Sequence, residues 1–217
     1  MVNKELLAHL KEYLTPRRRG LFQKVIAERT NYLTIVAQDV YQLHNTSAVI
    51  RSCDIFGVQN VHIIEERKPQ RIDKEIAMGA QKWVDVNRYN STKDCIQSLK
   101  QQGYSIVATS PHQNSELLED FKITKPMALF FGTEQQGLSD EVFEAADHIL
   151  QIPMVGFTES LNISVSAAIF LNDLTQKIKR SGENWQLSEE EKLELEWNWT
   201  KKCIKNSEDI IYRYRNS

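Results

Sequence analysis

The chain has 217 residues, 27 Lys and Arg against 29 Asp and Glu for a net charge of −2, and 41% hydrophobic residues. That length buries about 70% of the unfolded surface, so no disulfide or metal staple is needed, and 8 Gly with 5 Pro exclude collagen-like and low-complexity classes. No apolar run approaches the roughly 18 residues of a membrane-spanning helix, and a near-neutral total argues against blanket affinity for polyanions.

In chain order, Leu6, Leu7, Leu10 and Leu14 fall on one face of a helix. Charge is mixed into this stretch, so it lacks the continuous apolar core of a signal peptide. Pro16 interrupts, and Leu21, Phe22, Val25 and Ile26 resume the pattern over 17–29. Residues 1–30 carry seven Lys/Arg against three Glu, a local excess of +4. Residues 33–180 alternate apolar runs with helical stretches. The candidate strands are 33–37, 61–64, 104–109, 127–131 and 148–152, and the helical patterns lie near 46–56, 71–80, 92–102, 139–146 and 162–180. Such alternation implies an α/β fold, a mostly parallel sheet with helices on both faces. Residues 188–214 read as one helix. Ser188 and Glu191 make a capping-box pattern, and Leu193, Trp197, Ile204 and Ile211 form the apolar stripe. Residues 188–196 hold five Glu against Lys192. The expected organisation is a basic N-terminal extension over 1–30, a central domain over 31–180 and a C-terminal helical extension over 181–217.

Cys53, Cys95 and Cys203 are odd in number, widely spaced and without a CxxC, which reads as reduced, packed thiols in a cytoplasmic protein. His9, His44, His62, His112 and His148 are scattered, so no metal site is expected.

Ligands of an open parallel sheet bind beyond the C-terminal strand ends. Three segments there are rich in Gly, Asn and Ser that no helix or strand period explains: 44–54, 132–138 and 153–166. Each has an ordinary reading. Gly132 and Gly137 suit turns, Asn45 suits an N-cap for 46–56, Ser160 suits a cap for the next helix, and Arg51 suits a surface charge. One at a time the ordinary readings win. Together, three polar loops at neighbouring strand ends favour one ligand crevice. There is no GxGxxG, no GxxxxGK[ST], no GxSxG and no HExxH, so dinucleotide, P-loop, hydrolase and zincin sites have no fingerprint.

The three segments resemble the motifs of the TrmH (SpoU) family of SPOUT-class RNA 2'-O-methyltransferases. The first is N-x-S-A-x-x-R-S-C-D-x-x-G-V over 45–58, the second F-G-T-E-x-x-G-L over 131–138, and the third I-P-M-x-G-x-x-x-S-L-N-x-S-V-S-A-A over 152–168. Gln81-Lys82-Trp83-Val84 matches a further short run, and Arg19 and Arg29 before Asn-Tyr-Leu-Thr resemble the basic segment of tRNA-specific members. Three motifs in order are far more specific than any one.

The resemblance implies a C-terminal trefoil knot, which alternation alone does not reveal. It implies S-adenosyl-L-methionine bound in the knot against Thr109, Gly132, Thr133, Glu134, Gly137, Ile152, Met154, Ser160, Leu161 and Asn162. Glycines suit close main-chain approach to a ligand. It implies a homodimer with the active site at the subunit interface, and Arg51, Asn45, Glu134, Ser160 and Asn162 as catalytic residues. Arg51 is the essential one; the resemblance gives it the part of helping to remove the proton, a guanidinium is a poor base, and the residues leave open whether it acts so or as a phosphate-bound electrostatic group. The substrate implied is tRNA, at the ribose of guanosine-18, docked by Arg17, Arg18, Arg19 and Arg29. Ribosomal RNA methylation is the alternative within the family. A non-catalytic RNA-binding module is the alternative outside it, and a pure binder has no need of the five catalytic residues together. Glu159 departs from the family pattern, where a neutral side chain is frequent, and the acidic 188–196 stretch does not look like an RNA surface.

Overall fold

The computed structural model describes residues 2–40, 42–66, 79–111 and 115–216. The chain forms two compact units, Thr30–Trp185 and a second made of Met1–Arg29 with Gln186–Ser217.

The larger unit is built on seven parallel strands: β1 (Leu33–Gln38), β2 (Asn60–Ile64), β3 (Asp85–Tyr89), β4 (Ser105–Thr109), β5 (Glu116–Leu117), β6 (Met127–Phe131) and β7 (His148–Gln151). Their order in the sheet is β3-β2-β1-β6-β4-β7-β5, and every pairing is parallel. The helices are α3 (Leu43–Phe56), α4 (Thr92–Gln101), α5 (Asp140–Ala145) and α6 (Ile163–Arg180). The two-residue side-chain period divides the core. Leu33 and Ile35 of β1, with Met127, Leu129 and Phe131 of β6, pack under α3 and α6. Val36 of β1, with Ala128 and Phe130 of β6, packs under α4 and α5. Covered on both faces, the central strands read as continuous apolar runs.

The five strands expected from sequence are present, as is the α/β class. Two strands escape the pattern. β3, Asp-Val-Asn-Arg-Tyr, is a polar edge strand, and β5 has only two residues. The helical pattern near 71–80 lies outside the described residues up to 78, as does His112. Gly79 then opens a short 3₁₀ turn over Ala80–Lys82. Burial pushes the Cys95 thiol up to about 12, so it is an inert packed group.

The terminal unit contains α1 (Lys4–Glu12), α2 (Pro16–Ile26), α7 (Glu189–Cys203) and α8 (Ser207–Arg215). Leu6, Leu7, Leu10 and Leu14 are all buried, as their spacing predicts. Pro16 begins α2 at a position where its missing N–H costs nothing. The capping box at Ser188 forms. The single helix expected over 188–214 is two, because Ile204 turns extended and Asn206 adopts φ 56. Asn is a residue that tolerates this left-handed region. The deeply buried positions of α7 are Leu195, Trp199 and Thr200, while Leu193 and Trp197 of the expected stripe are half-buried. No helix among the described residues is long and apolar enough to cross a membrane.

His62, buried on β2 beside the Tyr89 hydroxyl at 3.3 Å, supplies a pH test. Desolvation lowers its pKa to about 4 from 6.5. The unfolded chain therefore binds the extra proton first, and the neutral imidazole's contribution, complete above pH 6.5, is lost as pH falls towards 4. Denaturant unfolding at pH 7.5 and 4.5 should show a loss of about 2 kcal/mol from this group. His62→Gln should remove that part of the pH dependence, and an unchanged dependence in the variant contradicts the assignment.

Candidate active site

All strands run one way, so their C-terminal ends share one edge of the sheet. The segments after β4, β6 and β7 enclose a cleft of about 320 Å3 there. Thr109 and Ser110 line it from β4, Gly132 to Gly137 from the loop after β6, and Ile152, Met154, Glu159, Ser160 and Leu161 from the loop after β7. Phe131, Leu150, Ile163 and Phe170 give it an apolar floor. The Thr109 hydroxyl donates to the Phe130 carbonyl at 2.8 Å, tying β4 to β6 at the rim.

Three side chains from separate motifs meet beside this cleft. Asn45 of α3 donates from Nδ2 to Oε1 of Glu134 at 3.0 Å. Asn162 donates from Nδ2 to the same Glu134 oxygen at 2.8 Å and to Oδ1 of Asn45 at 3.1 Å. Oδ1 of Asn162 accepts the Ser164 N–H at 2.9 Å and so caps α6. Asn45 is not the N-cap that its ordinary reading made it. Gln42 holds that place, and Asn45 lies inside the first turn of α3, 3% exposed and aimed at Glu134. The ordinary reading of Ser160 as a helix cap also fails, since Asn162 has that role and Ser160 stands exposed on the cleft wall.

The two loop glycines differ in what they require. A Cβ on Gly132 falls 2.1 Å from the backbone of Gly137 and 2.3 Å from the Leu138 nitrogen. Gly137 has open space, and its demand is φ +68. Between them Thr133 and Gly137 exchange two backbone hydrogen bonds at 3.0 Å, so their N–H groups serve the loop's own closure. Close backbone approach within the loop is thus a property of Gly132, while Gly137 is needed for its positive φ.

The far end of this loop has an anchor that sequence reading overlooked. Gln38, 4% exposed at the end of β1, donates from Nε2 to the hydroxyls of Thr92 and Ser139, both at 2.8 Å. Its Oε1 accepts the Ser139 N–H at 3.0 Å. The available signal was a polar residue closing an otherwise buried apolar strand.

Arg51 does not line the cleft. It lies six positions after Asn45, about 120° around the α3 axis, on an exposed face shared with Ile55. Glu159 does line it, so the cleft carries two carboxylates, Glu134 and Glu159, and no Lys, Arg or His among its described lining. Among the described residues no three His, Cys, Asp or Glu are grouped to share a metal ion.

Residues 32–172 match the SpoU rRNA Methylase family. The chain belongs to this family. It is 41% identical over 93% of its length, and 92% of the relative's, to a tRNA (guanosine(18)-2'-O)-methyltransferase of Borreliella burgdorferi. Its fold superposes with TM-score 0.77 on the A. aeolicus TrmH/SpoU tRNA modifying enzyme, at 32% identity over 87% of this chain and 98% of that one. An AdoMet-bound rRNA methyltransferase from Sinorhizobium meliloti shares 25% identity and a TM-score of 0.62, over 70% of this chain and 58% of that one.

Of the basic residues expected on the RNA, Arg17 and Arg18 are exposed and Arg19 is half-buried. Arg29 is 1% exposed, with its guanidinium 5.2 Å from the Trp199 ring centre. An enclosed guanidinium has no face for a phosphate in solution, so Arg29 is a packing residue of the terminal unit.

The glycine geometry of this SpoU-family loop makes a direct prediction. Gly132→Ala should cost about 3 kcal/mol or more, because the clash is with backbone that has nowhere to move. Gly137→Ala should cost about 1–2 kcal/mol, the strain of a left-handed alanine. Urea unfolding of both variants checks the order, and equal losses contradict it.

Proposed function

We propose that the chain transfers the methyl group of S-adenosylmethionine to a ribose 2'-hydroxyl of tRNA, at guanosine-18, in the cytoplasm. The observation that carries this reading is the meeting of Asn45, Glu134 and Asn162 from three distant segments beside one cleft. The names of its relatives support the substrate. The cleft suits the cofactor: an apolar floor for a flat base, and two carboxylates for a molecule bearing cationic sulfur and ammonium groups. Glu134 and Glu159, with Thr109, Ser160 and the backbone of the two loops, would hold it. When bound, it supplies an electrophilic methyl on a good leaving group.

The protein's own work is then alignment and charge. The 2'-oxygen forms its bond to the methyl carbon as the carbon–sulfur bond breaks, and the hydroxyl proton leaves to solvent or phosphate. Asn45 and Asn162 hold the Glu134 carboxylate in one position, which fixes the loop that faces the methyl group. Arg51 acts as a cation. Beside a substrate phosphate it stabilises the developing alkoxide without accepting the proton.

The proposal includes a homodimer and the trefoil knot of the family. Ile55 on α3 is 67% exposed, and Leu161 just before α6 with Val165 and Ile169 on it are 37–47% exposed. These helices pack together, so each presents exposed apolar side chains beside the other. A second copy covering them would bring Arg51, one turn from Ile55, to the partner's cleft.

Incubation with labelled S-adenosylmethionine and total RNA, followed by mapping, tests the reaction. Label on the 2'-oxygen of tRNA guanosine-18 is expected, and label confined to ribosomal RNA overturns the substrate. Arg51→Ala should reduce turnover at least 100-fold with the melting temperature unchanged, since the residue is exposed. Near-native turnover removes Arg51 from the site. Arg17, Arg18 and Arg19 stand in the first turn of α2, where no acid accompanies them. Replacing all three by Gln should flatten the salt dependence of tRNA binding by about two to three contacts. Cofactor affinity should stay as it was, and an unaltered salt slope removes these arginines from the RNA surface.

A further inference from the structure

The terminal unit joins two basic stretches that lie two hundred residues apart in sequence. His9 on α1 is the link. Its ring lies 4.9 Å from the Tyr214 ring of α8, tilted by 33°, and 5.5 Å from the Tyr13 ring, edge-on at 81°. Tyr13 ends this row and is 55% exposed. Arg17 and Arg18 follow Tyr13 by four and five residues, both exposed. Arg213 and Arg215 bracket Tyr214 on α8, both also exposed. Exposed arginines thus stand close in sequence to both tyrosines of the row.

His9 packs against the Tyr13 ring and is itself packed against Tyr214, while Tyr13 keeps half of its surface open to solvent. Every nucleobase has a face that stacks on such a ring, and arginines beside it hold the phosphates of the same strand. We propose that Tyr13, backed by His9 and Tyr214, is a stacking platform for an unpaired base of the RNA substrate. Arg17 and Arg18 hold the backbone on one side of that base, and Arg213 and Arg215 hold it on the other. The inference rests on the RNA-methyltransferase reading and adds a docking site for a single-stranded segment, such as the end or loop of a folded RNA. Of the acids on the same helices, Glu208 is paired with Lys201 at 2.6 Å and Glu12 stands 3.9 Å from His9 Nδ1; the base itself is held by its face rather than by charge.

The test titrates the full-length protein with unmodified tRNA and with a single-stranded RNA of mixed sequence, over a salt series. Tyr13→Ala should weaken binding of both RNAs about tenfold or more while leaving the salt slope intact, since stacking releases no counterions. Tyr13→Phe should bind within about twofold of the wild type, because it keeps the ring. Arg213→Gln with Arg215→Gln should weaken binding and flatten the slope by one to two contacts. Melting temperature and S-adenosylmethionine affinity should be unchanged throughout, which a merely structural role for these residues would not leave so. If Tyr13→Ala binds both RNAs like the wild type, the platform is overturned even where the wild type methylates tRNA normally. If the wild type fails to methylate tRNA yet loses single-stranded RNA binding through Tyr13→Ala, the platform stands and the tRNA reading falls.

Discussion

One amide side chain holds the cleft and the fold together. Asn162 uses its Oδ1 for the Ser164 N–H in the first turn of α6 and its Nδ2 for Glu134 and Asn45. The helix cap is worth about 1 kcal/mol in proteins generally. Hydrogen bonds to a carboxylate run about twice as strong as neutral ones. The start of α6, the loop after β6 and the first turn of α3 cannot shift separately while this side chain keeps its partners. A site made of three loops needs such a tie, because loops alone are the mobile part of a fold.

The sheet explains why those loops meet. β6 sits between β1 and β4, and β7 lies next to β4, so the segments leaving β1, β4, β6 and β7 emerge side by side. Gln38 anchors the far end of the β6 loop to β1, and Glu134 anchors its near end to α3 and α6. Gly132 lets the loop close on itself within a Cβ's width. The turn is thereby rigid at both ends and made of backbone in the middle, which suits recognition by main-chain groups at close range.

Much of this was legible in the residues. Apolar runs marked the central strands because burial on both faces leaves few polar positions, and the three motif segments stood out because their Gly, Asn and Ser fit no period. β3 was not legible, since an edge strand wets one side and Asp85, Asn87 and Arg88 hide its β character. The break at Asn206 was hidden because the apolar stripe continues across it from Trp197 to Ile211. Asn45 could be read as a cap or as a site residue until its partner, eighty-nine positions away, was placed. Arg29 looked like one more surface cation, and only the burial of Trp199 beside it shows otherwise.

The near-zero net charge conceals two opposite local fields. The cleft lining has Glu134 and Glu159 and no cation among its described residues, whereas the first turn of α2 and the end of α8 present arginines. On the proposed reaction each field has its own task. A cationic cofactor is drawn to the acidic cleft, and its thioether product, having lost the sulfonium charge, is held there less strongly. Glu159 then strengthens a preference for substrate over product rather than opposing the RNA. Exposure keeps the effect small, within the range of about 1 kcal/mol expected for solvent-screened charges. A uniformly basic surface would bind RNA as well but would repel the sulfonium, so a division of charge between the arginine-bearing helix ends and the cleft serves both ligands where a large net charge could serve only one.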